Sequence, residues 1–139
     1  MKHMTRIAFV VLMFVPIVAS AQFRDLDAAM SNLERGFGGG DVDAIVSGIG
    51  ADEQVMLQFP GLTEKDGFFG RDQASYLLDA LFNKVKPAGF EQVSAKGARA
   101  EKQYEITAKW SIASGERDLV ITLRQKEGRW SIVSVRSAG

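Results

Sequence analysis

The sequence predicts an α+β domain in which three N-terminal helices pack on an antiparallel sheet. Three observations predict it. Apolar residues recur at helical spacing as far as Val85 and at alternate positions after Phe90. The pairs Ser114-Gly115 and Glu127-Gly128 punctuate the last third with hairpin turns. Between them in importance stands the stretch from Leu33 to Ile49. There Gly38-Gly39-Gly40 followed by Asp41 ends one helix, starts another and turns the chain back on itself.

The first helix follows from Phe23, Leu26, Met30, Leu33 and Phe37, which lie three and four apart and predict a helix over Phe23–Phe37. Asp41 then sits at the N-cap of a short second helix, with Val42, Ile45, Val46 and Ile49 as its apolar face. Gln54–Phe59 alternates as a strand and stops at Pro60-Gly61, and Gly67-Phe68-Phe69 reads as a brief return strand. The third helix spans Arg71–Val85. Asp72 suits its first turn, and Ala74, Leu77, Leu78, Leu81, Phe82 and Val85 make a broad apolar stripe. Lys84 and Lys86 suit the negative end of the helix dipole, and Pro87 stops the helix.

The rest is strand: Phe90–Lys96, Tyr104–Ile112, Leu119–Gln125 and Trp130–Val135. Taking Ser114-Gly115 as a two-residue turn sets Trp110 opposite Leu119, Ala108 opposite Ile121 and Ile106 opposite Leu123. Glu105 then meets Arg124 and Thr107 meets Thr122 on the other face. Taking Glu127-Gly128 the same way sets Leu123 opposite Ile132 and Gln125 opposite Trp130. One face is thereby apolar and fits the helices.

Residues 1–21 read as an export signal. Lys2 and Arg6 precede the apolar run Ile7–Ala19, and Ala19-Ser20-Ala21 is a small-x-small cleavage pattern. The run is short for a bilayer span, and no cysteine follows it to carry a lipid. Cleavage after Ala21 of the 139-residue chain leaves 118 residues, Gln22–Gly139, as a single domain in the periplasm or outside the cell. With no cysteine, its stability comes from packing alone. The chain carries 17 basic and 17 acidic residues; losing Lys2 and Arg6 leaves a net charge of −2. That charge offers no footprint for nucleic acid or an anionic membrane.

The order of elements resembles the nuclear-transport-factor-2-like (cystatin-like) fold, a curved sheet wrapped around helices into a cone. Within it, the chain is most similar to the exported bacterial family labelled domain of unknown function 4783. The resemblance rests on the export signal, Phe37-Gly-Gly-Gly-Asp41-Val-Asp-Ala-Ile45, Gly70-Arg-Asp-Gln-Ala74-Ser-Tyr-Leu77-Leu, Tyr104-Glu-Ile106 and Gly128-Arg-Trp130-Ser-Ile132. It implies a cone with an open end, where enzymes of this fold commonly pair a histidine or aspartate base with tyrosine or aspartate donors. It does not imply one activity, because the superfamily holds enzymes, ligand binders and interaction modules.

The chemistry available narrows the choice. The only histidine is His3, within the signal. Serine–histidine and cysteine–histidine catalysis and histidine-ligated metals therefore have no residues to use. No metal or cofactor is expected. Asp41 and Asp43 fall on different sides of a helix, and Asp41 reads as a cap; Asp52-Glu53 reads as a solvated loop. None of the inward sheet positions is acidic. Tyr104, Gln125 and Trp130 fall in one cross-strand row on the inner face, with Ser134 further along. The row reads as rim packing or as the lining of a small-ligand pocket, with Gln125 and Ser134 orienting the ligand and Tyr76 joining from the third helix. On the outer face Val120, Val133 and Val135 with Thr107 and Thr122 form a surface suited to a homodimer. The sequence thus points to an exported non-enzymatic binding or interaction module holding a small apolar ligand in the cone. The alternative is an isomerase, dehydratase or hydrolase working through carboxylate or tyrosine groups.

Overall fold

The computed structural model describes residues 23, 25–98 and 102–138. The export signal and its cleavage after Ala21 lie outside the described residues. Helix α1 spans Leu26–Leu33 and is capped by Asp25, whose Oδ1 accepts from the Ala28 N–H at 2.8 Å. The helix therefore starts later than the spacing of its apolar residues predicts. Phe23 is not helical: it makes an isolated antiparallel bridge with Trp130, exchanging backbone hydrogen bonds of 3.0 and 2.8 Å. A wider π turn, Glu34–Gly38, continues α1 and carries Phe37 into the core. At its end the Phe37 carbonyl accepts from Trp110 Nε1 at 2.7 Å, so a group that lacks a helical partner is satisfied from the sheet.

Within the run Gly38-Gly39-Gly40, only Gly40 takes a positive φ, at 78°. Gly36 is required for a different reason. Helix α2 (Val42–Val46) crosses so close that a Cβ on Gly36 would overlap Ile45 Cγ1. Asp41 caps α2, with Oδ1 3.3 Å from the Ala44 N–H. Helix α3 covers Arg71–Val85 as the sequence predicts, and it ends in Lys86 at φ 56°, just ahead of Pro87. Arg71 Nε donates to the Ile49 carbonyl at 3.0 Å and ties the start of α3 to the chain leaving α2.

The strands are β1 (Gln54–Gln58), β2 (Gly67–Gly70), β3 (Gly89–Ala98), β4 (Gln103–Ile112), β5 (Gly115–Lys126) and β6 (Arg129–Ala138). They form one curved, unclosed sheet in the order β2-β1-β6-β5-β4-β3. All neighbours are antiparallel except β1 and β6, whose parallel pairing the sequence does not announce.

The β5–β6 register is the predicted one: Leu123 faces Ile132 and Gln125 faces Trp130. Glu127 and Gly128 both take positive φ, 53° and 79°, as the tight turn between twisted strands demands. The β4–β5 register is corrected by two residues. Ile112 pairs with Gly115, so the turn is Ala113-Ser114 and Gly115 opens the strand at φ 137°. Ile106 consequently faces Ile121, Ala108 faces Leu119 and Trp110 faces Arg117; Glu105 meets Thr122 and Thr107 meets Val120. A slip of two keeps every side chain on its predicted face.

A bulge in β6 has a larger effect. Thr122 pairs with Ser134 but Leu123 pairs with Ile132, which leaves Val133 as the extra residue. The alternation shifts beyond it. Val135 is fully buried opposite Ile121, and Ser134 lies on the outer face opposite Thr122. Both expectations are thereby corrected: Val135 belongs to the core and not to an outer interface, and Ser134 is not on the concave side.

Inside the cone, rings fill the space between the sheet and the helices. Trp110, Phe37 and Phe59 are fully buried. Phe37 stands 5.6 Å from Trp110 and 5.7 Å from Phe82, edge to face, and Phe59 and Phe82 approach Trp110 at 6.0 and 6.2 Å. Leu78, Leu81 and Val85 of α3 join Ile121, Leu123 and Ile132 of the sheet in the same core.

Candidate functional site

The row expected on the concave side comes together in part. Tyr104 and Trp130 are half-buried, and their rings meet edge to face at 6.3 Å. Gln125 pairs with Trp130, while Tyr104 pairs with Leu123, one step along, because of the shifted β4–β5 register. The Tyr104 ring also lies over the backbone of Gly97, its partner on β3: a Cβ there would stand 2.6 Å from Tyr104 Cδ1. Phe23 closes the approach from the other side. It is 3% exposed, bridges to Trp130, and packs so tightly on Gly48 that a Cβ at Gly48 would overlap its ring. Tyr104 and Trp130 thus have rings or backbone on several sides.

Tyr76 does not join them. It is 81% exposed on the outward side of α3. There it borders a different feature, a groove of about 700 Å³ between α3 and the 59–66 loop with β2. Leu62, Phe69, Leu77, Ala80 and Leu81 form its apolar floor and walls, with Glu64, Lys65, Asp72 and Lys84 around it. The loop is held in place by its own hydrogen bonds. Asp66 Oδ1 accepts from Phe59 N–H at 3.3 Å, Leu62 N–H donates to the Phe59 carbonyl at 2.9 Å, and Lys84 Nζ donates to the Leu62 carbonyl at 3.1 Å. This last bond fastens the loop to α3 across one end of the groove.

A second depression, about 460 Å³, adjoins the first and shares Asp72 and Tyr76 with it. Asp41, Asp43, Asp72 and Asp79 line it together with Ser75. Asp41 is engaged in its cap, and Arg35 Nε stands 3.9 Å from its other oxygen. Among the described residues no group of three or more histidine, cysteine, aspartate or glutamate side chains is placed to hold a metal ion.

The sequence singles out neither depression. The available sign was the breadth of the α3 stripe. Leu77 extends it past the width the core can cover and stands half-buried, facing the groove. The other wall comes from a loop without periodicity. On the outer sheet face, Thr107 pairs with Val120 and Thr122 with Ser134, and the second row continues to Met56 and the 67% exposed Phe68. Val133 stands apart from these rows, in a small depression of about 260 Å³ with Glu53, Arg124 and Lys126.

A family model described as "Domain of unknown function (DUF4783)" matches residues 30–137. The chain is similar to solved structures of DUF4783 proteins from Bacteroides ovatus and Bacteroides fragilis. The first is 16% identical, with a TM-score of 0.67, over 77% of this chain and 91% of that one. The second is 18% identical, with a TM-score of 0.65, over 76% of this chain and 93% of that one. It is also similar to an NTF-2-like protein of unknown function from Silicibacter pomeroyi, at 18% identity and a TM-score of 0.56, over 81% and 91% of the two chains. No curated protein matches.

Proposed function

The chain belongs to the family described as domain of unknown function DUF4783 and has the nuclear-transport-factor-2-like fold; from that premise we propose that it is an exported, non-enzymatic binding module for a small apolar ligand. The ligand sits in the groove between α3 and the 59–66 loop. One observation carries this reading: the surface of the groove is mainly apolar although charged side chains surround it, and its volume of about 700 Å³ suits a small molecule. Ligand sites generally span roughly 300–1,000 Å³. The cone interior is a poorer host, because Trp110, Phe37, Phe59 and Phe82 occupy it. The Tyr104–Trp130 rim, the alternative host, is packed against Gly97 and Phe23. The non-enzymatic part rests on the chain having no histidine beyond His3 and no cysteine. Export rests on residues 1–21.

Titration of the mature protein with a hydrophobic dye tests the reading, beside Ala80→Trp, which fills the groove from an exposed helix position. Saturable binding that Ala80→Trp abolishes is the expected result. Absent binding, or binding that Ala80→Trp leaves unchanged, overturns the groove as the site.

Self-association through the outer sheet face is part of the same proposal. Val120, Thr107 and Thr122 support it, now extended by Met56 and the exposed Phe68 in the same rows. Light scattering of the mature protein and of Phe68→Lys checks it, and a monomer at high micromolar concentration rejects it.

A further inference from the structure

We propose that Lys84 is the positioning residue of this groove: its bond to the Leu62 carbonyl fixes the 59–66 loop against α3 and so sets the shape of the groove. The inference rests on the groove reading above and deepens it. Leu77, Ala80, Leu81 and Lys84 follow one another at i, i+3, i+4 and i+7 of α3, so a single helix face lines the groove. Lys84 is the last of these. Its methylene stem lines the groove, and its ammonium reaches the loop at 3.1 Å in a partly buried bond.

The loop's other hydrogen bonds do not fasten it to α3. The Leu62 and Thr63 N–H groups donate to the Phe59 carbonyl at 2.9 and 3.1 Å, Thr63 Oγ1 donates to the Lys65 carbonyl at 3.2 Å, and Asp66 accepts from Phe59. All of these join the loop to itself. The buried Leu62 side chain anchors the loop in the core at one point. Thr63, Glu64 and Lys65, which form the rest of this wall, are half-buried or exposed. Gly61 and Gly67 bound the wall at φ 77° and 150°, and glycine allows rotation there at little steric cost. A side-chain anchor at Leu62 leaves its peptide plane free to turn. Holding the Leu62 carbonyl fixes that plane, and with it the direction in which Thr63–Lys65 leave. The Lys84 bond does this, and a bond from an ammonium is stronger than one between neutral groups.

The experiment uses two variants of the mature protein. Lys84→Met keeps the stem and removes the ammonium; Lys84→Arg keeps a charged donor. Amide hydrogen exchange reads the loop. Titration with N-phenyl-1-naphthylamine reads the groove, and this dye is neutral, so losing a lysine charge does not itself alter its binding. In Lys84→Met the Leu62 and Thr63 amides are expected to exchange roughly tenfold faster, while those of Leu78 and Leu81 in α3 stay as they were. Dye affinity is expected to fall by roughly fivefold, because binding must then order the loop. Lys84→Arg is expected to restore most of both. Unchanged exchange in Lys84→Met overturns the proposal. Faster exchange with unchanged dye affinity overturns it too, because the loop's position then does not shape the site. If the unsubstituted protein binds no dye, the groove reading falls, and exchange alone decides whether Lys84 fixes the loop.

Discussion

The cone interior and the flank of α3 use the same kinds of side chain to opposite ends. In the interior, Trp110, Phe37, Phe59 and Phe82 interlock at 5.6 to 6.2 Å, and the indole N–H has its acceptor 2.7 Å away. On the flank, Phe69, Leu77 and Ala80 face a space of about 700 Å³ that no other element among the described residues fills. A single helix serves both. Leu78, Leu81 and Phe82 of α3 are buried, while Tyr76, Leu77 and Ala80 on its other side are left uncovered in part or whole. The difference teaches that apolar character alone does not mark a binding site in this fold. The flank differs in that its apolar surface lacks a partner among the described residues. The cone, the obvious host by its shape, is the part of the molecule that holds it together.

Substitution of Trp110 gives the largest expected effect. Trp110→Ala removes the ring on which Phe37, Phe59 and Phe82 converge and leaves the Phe37 carbonyl without its donor. Large-to-small changes of buried aromatics cost roughly 3–5 kcal/mol, and chemical denaturation measures this one. A cost under about 1 kcal/mol contradicts a filled cone and returns the interior to candidacy as a pocket. Gly36→Ala probes the same region through the backbone. The added methyl collides with the side chain of Ile45, which is 1% exposed and must shift within a packed core. About 3 kcal/mol is expected, the upper end of ordinary overpacking. Pairing it with Ile45→Ala relieves the collision, so the double variant is expected to cost clearly less than the sum of the two single changes, and an additive cost rejects that cause.

These residues also mark how far the sequence could be read. Helix α3 was legible to both ends, because its stripe, Asp72 and Pro87 all agree. The inner sheet face was legible despite the wrong β4–β5 register. Ile106, Ala108, Trp110, Leu119, Ile121, Leu123 and Ile132 are all buried, since a slip of two preserves the face. The turn itself lies one residue earlier than Ser114-Gly115, because the positive φ of Gly115 serves the first position of β5 and not the turn. The bulge at Val133 was not legible. Val-Ser-Val alternates equally well in either phase, and only the pairing with β5 shows which valine turns inward. Phe23 fitted a helical spacing by coincidence. Asp25 was the better guide, since aspartate ahead of Leu26 is a helix start, and Trp130 claims Phe23 from across the sheet. The parallel meeting of β1 with β6 depends on contacts remote in sequence, which periodicity does not carry. The groove was illegible for the same reason: the 59–66 loop and α3 meet only in three dimensions.

Trp130 sharpens the comparison at an intermediate size. Its ring is half-buried and meets Tyr104 edge to face, and its backbone holds Phe23. Trp130→Ala is expected to cost roughly 2 kcal/mol, below Trp110→Ala because fewer atoms surround the indole. The bridge to Phe23 uses backbone atoms only and survives the change. Binding of a hydrophobic dye is expected to stay as it was. Weakened dye binding in Trp130→Ala, with the fold intact, moves the ligand from the flank to the rim.

The smallest expected effect on stability belongs to Leu77, and there the comparison is most exposed to failure. Leu77 is half-buried beside the core and faces the groove. Replacing it with asparagine keeps a side chain of similar length on a helix whose other face is unchanged. Removing part of a half-buried leucine forfeits only part of the roughly 1.5–3 kcal/mol that full burial contributes, so a loss of about 1 kcal/mol is expected. The added amide can stay hydrated, because the groove is open to water. Binding follows a different rule. A ligand that displaces this water must strip the amide of its partners and leave it unpaired against an apolar body, which costs roughly 1–3 kcal/mol. Dye affinity is therefore expected to fall by roughly tenfold or more while the melting temperature moves by only a few degrees. A Leu77→Asn protein that loses stability like a core variant places Leu77 with the interior and dissolves the distinction between the two sides of α3. One that keeps both its stability and its affinity removes the flank as the binding surface.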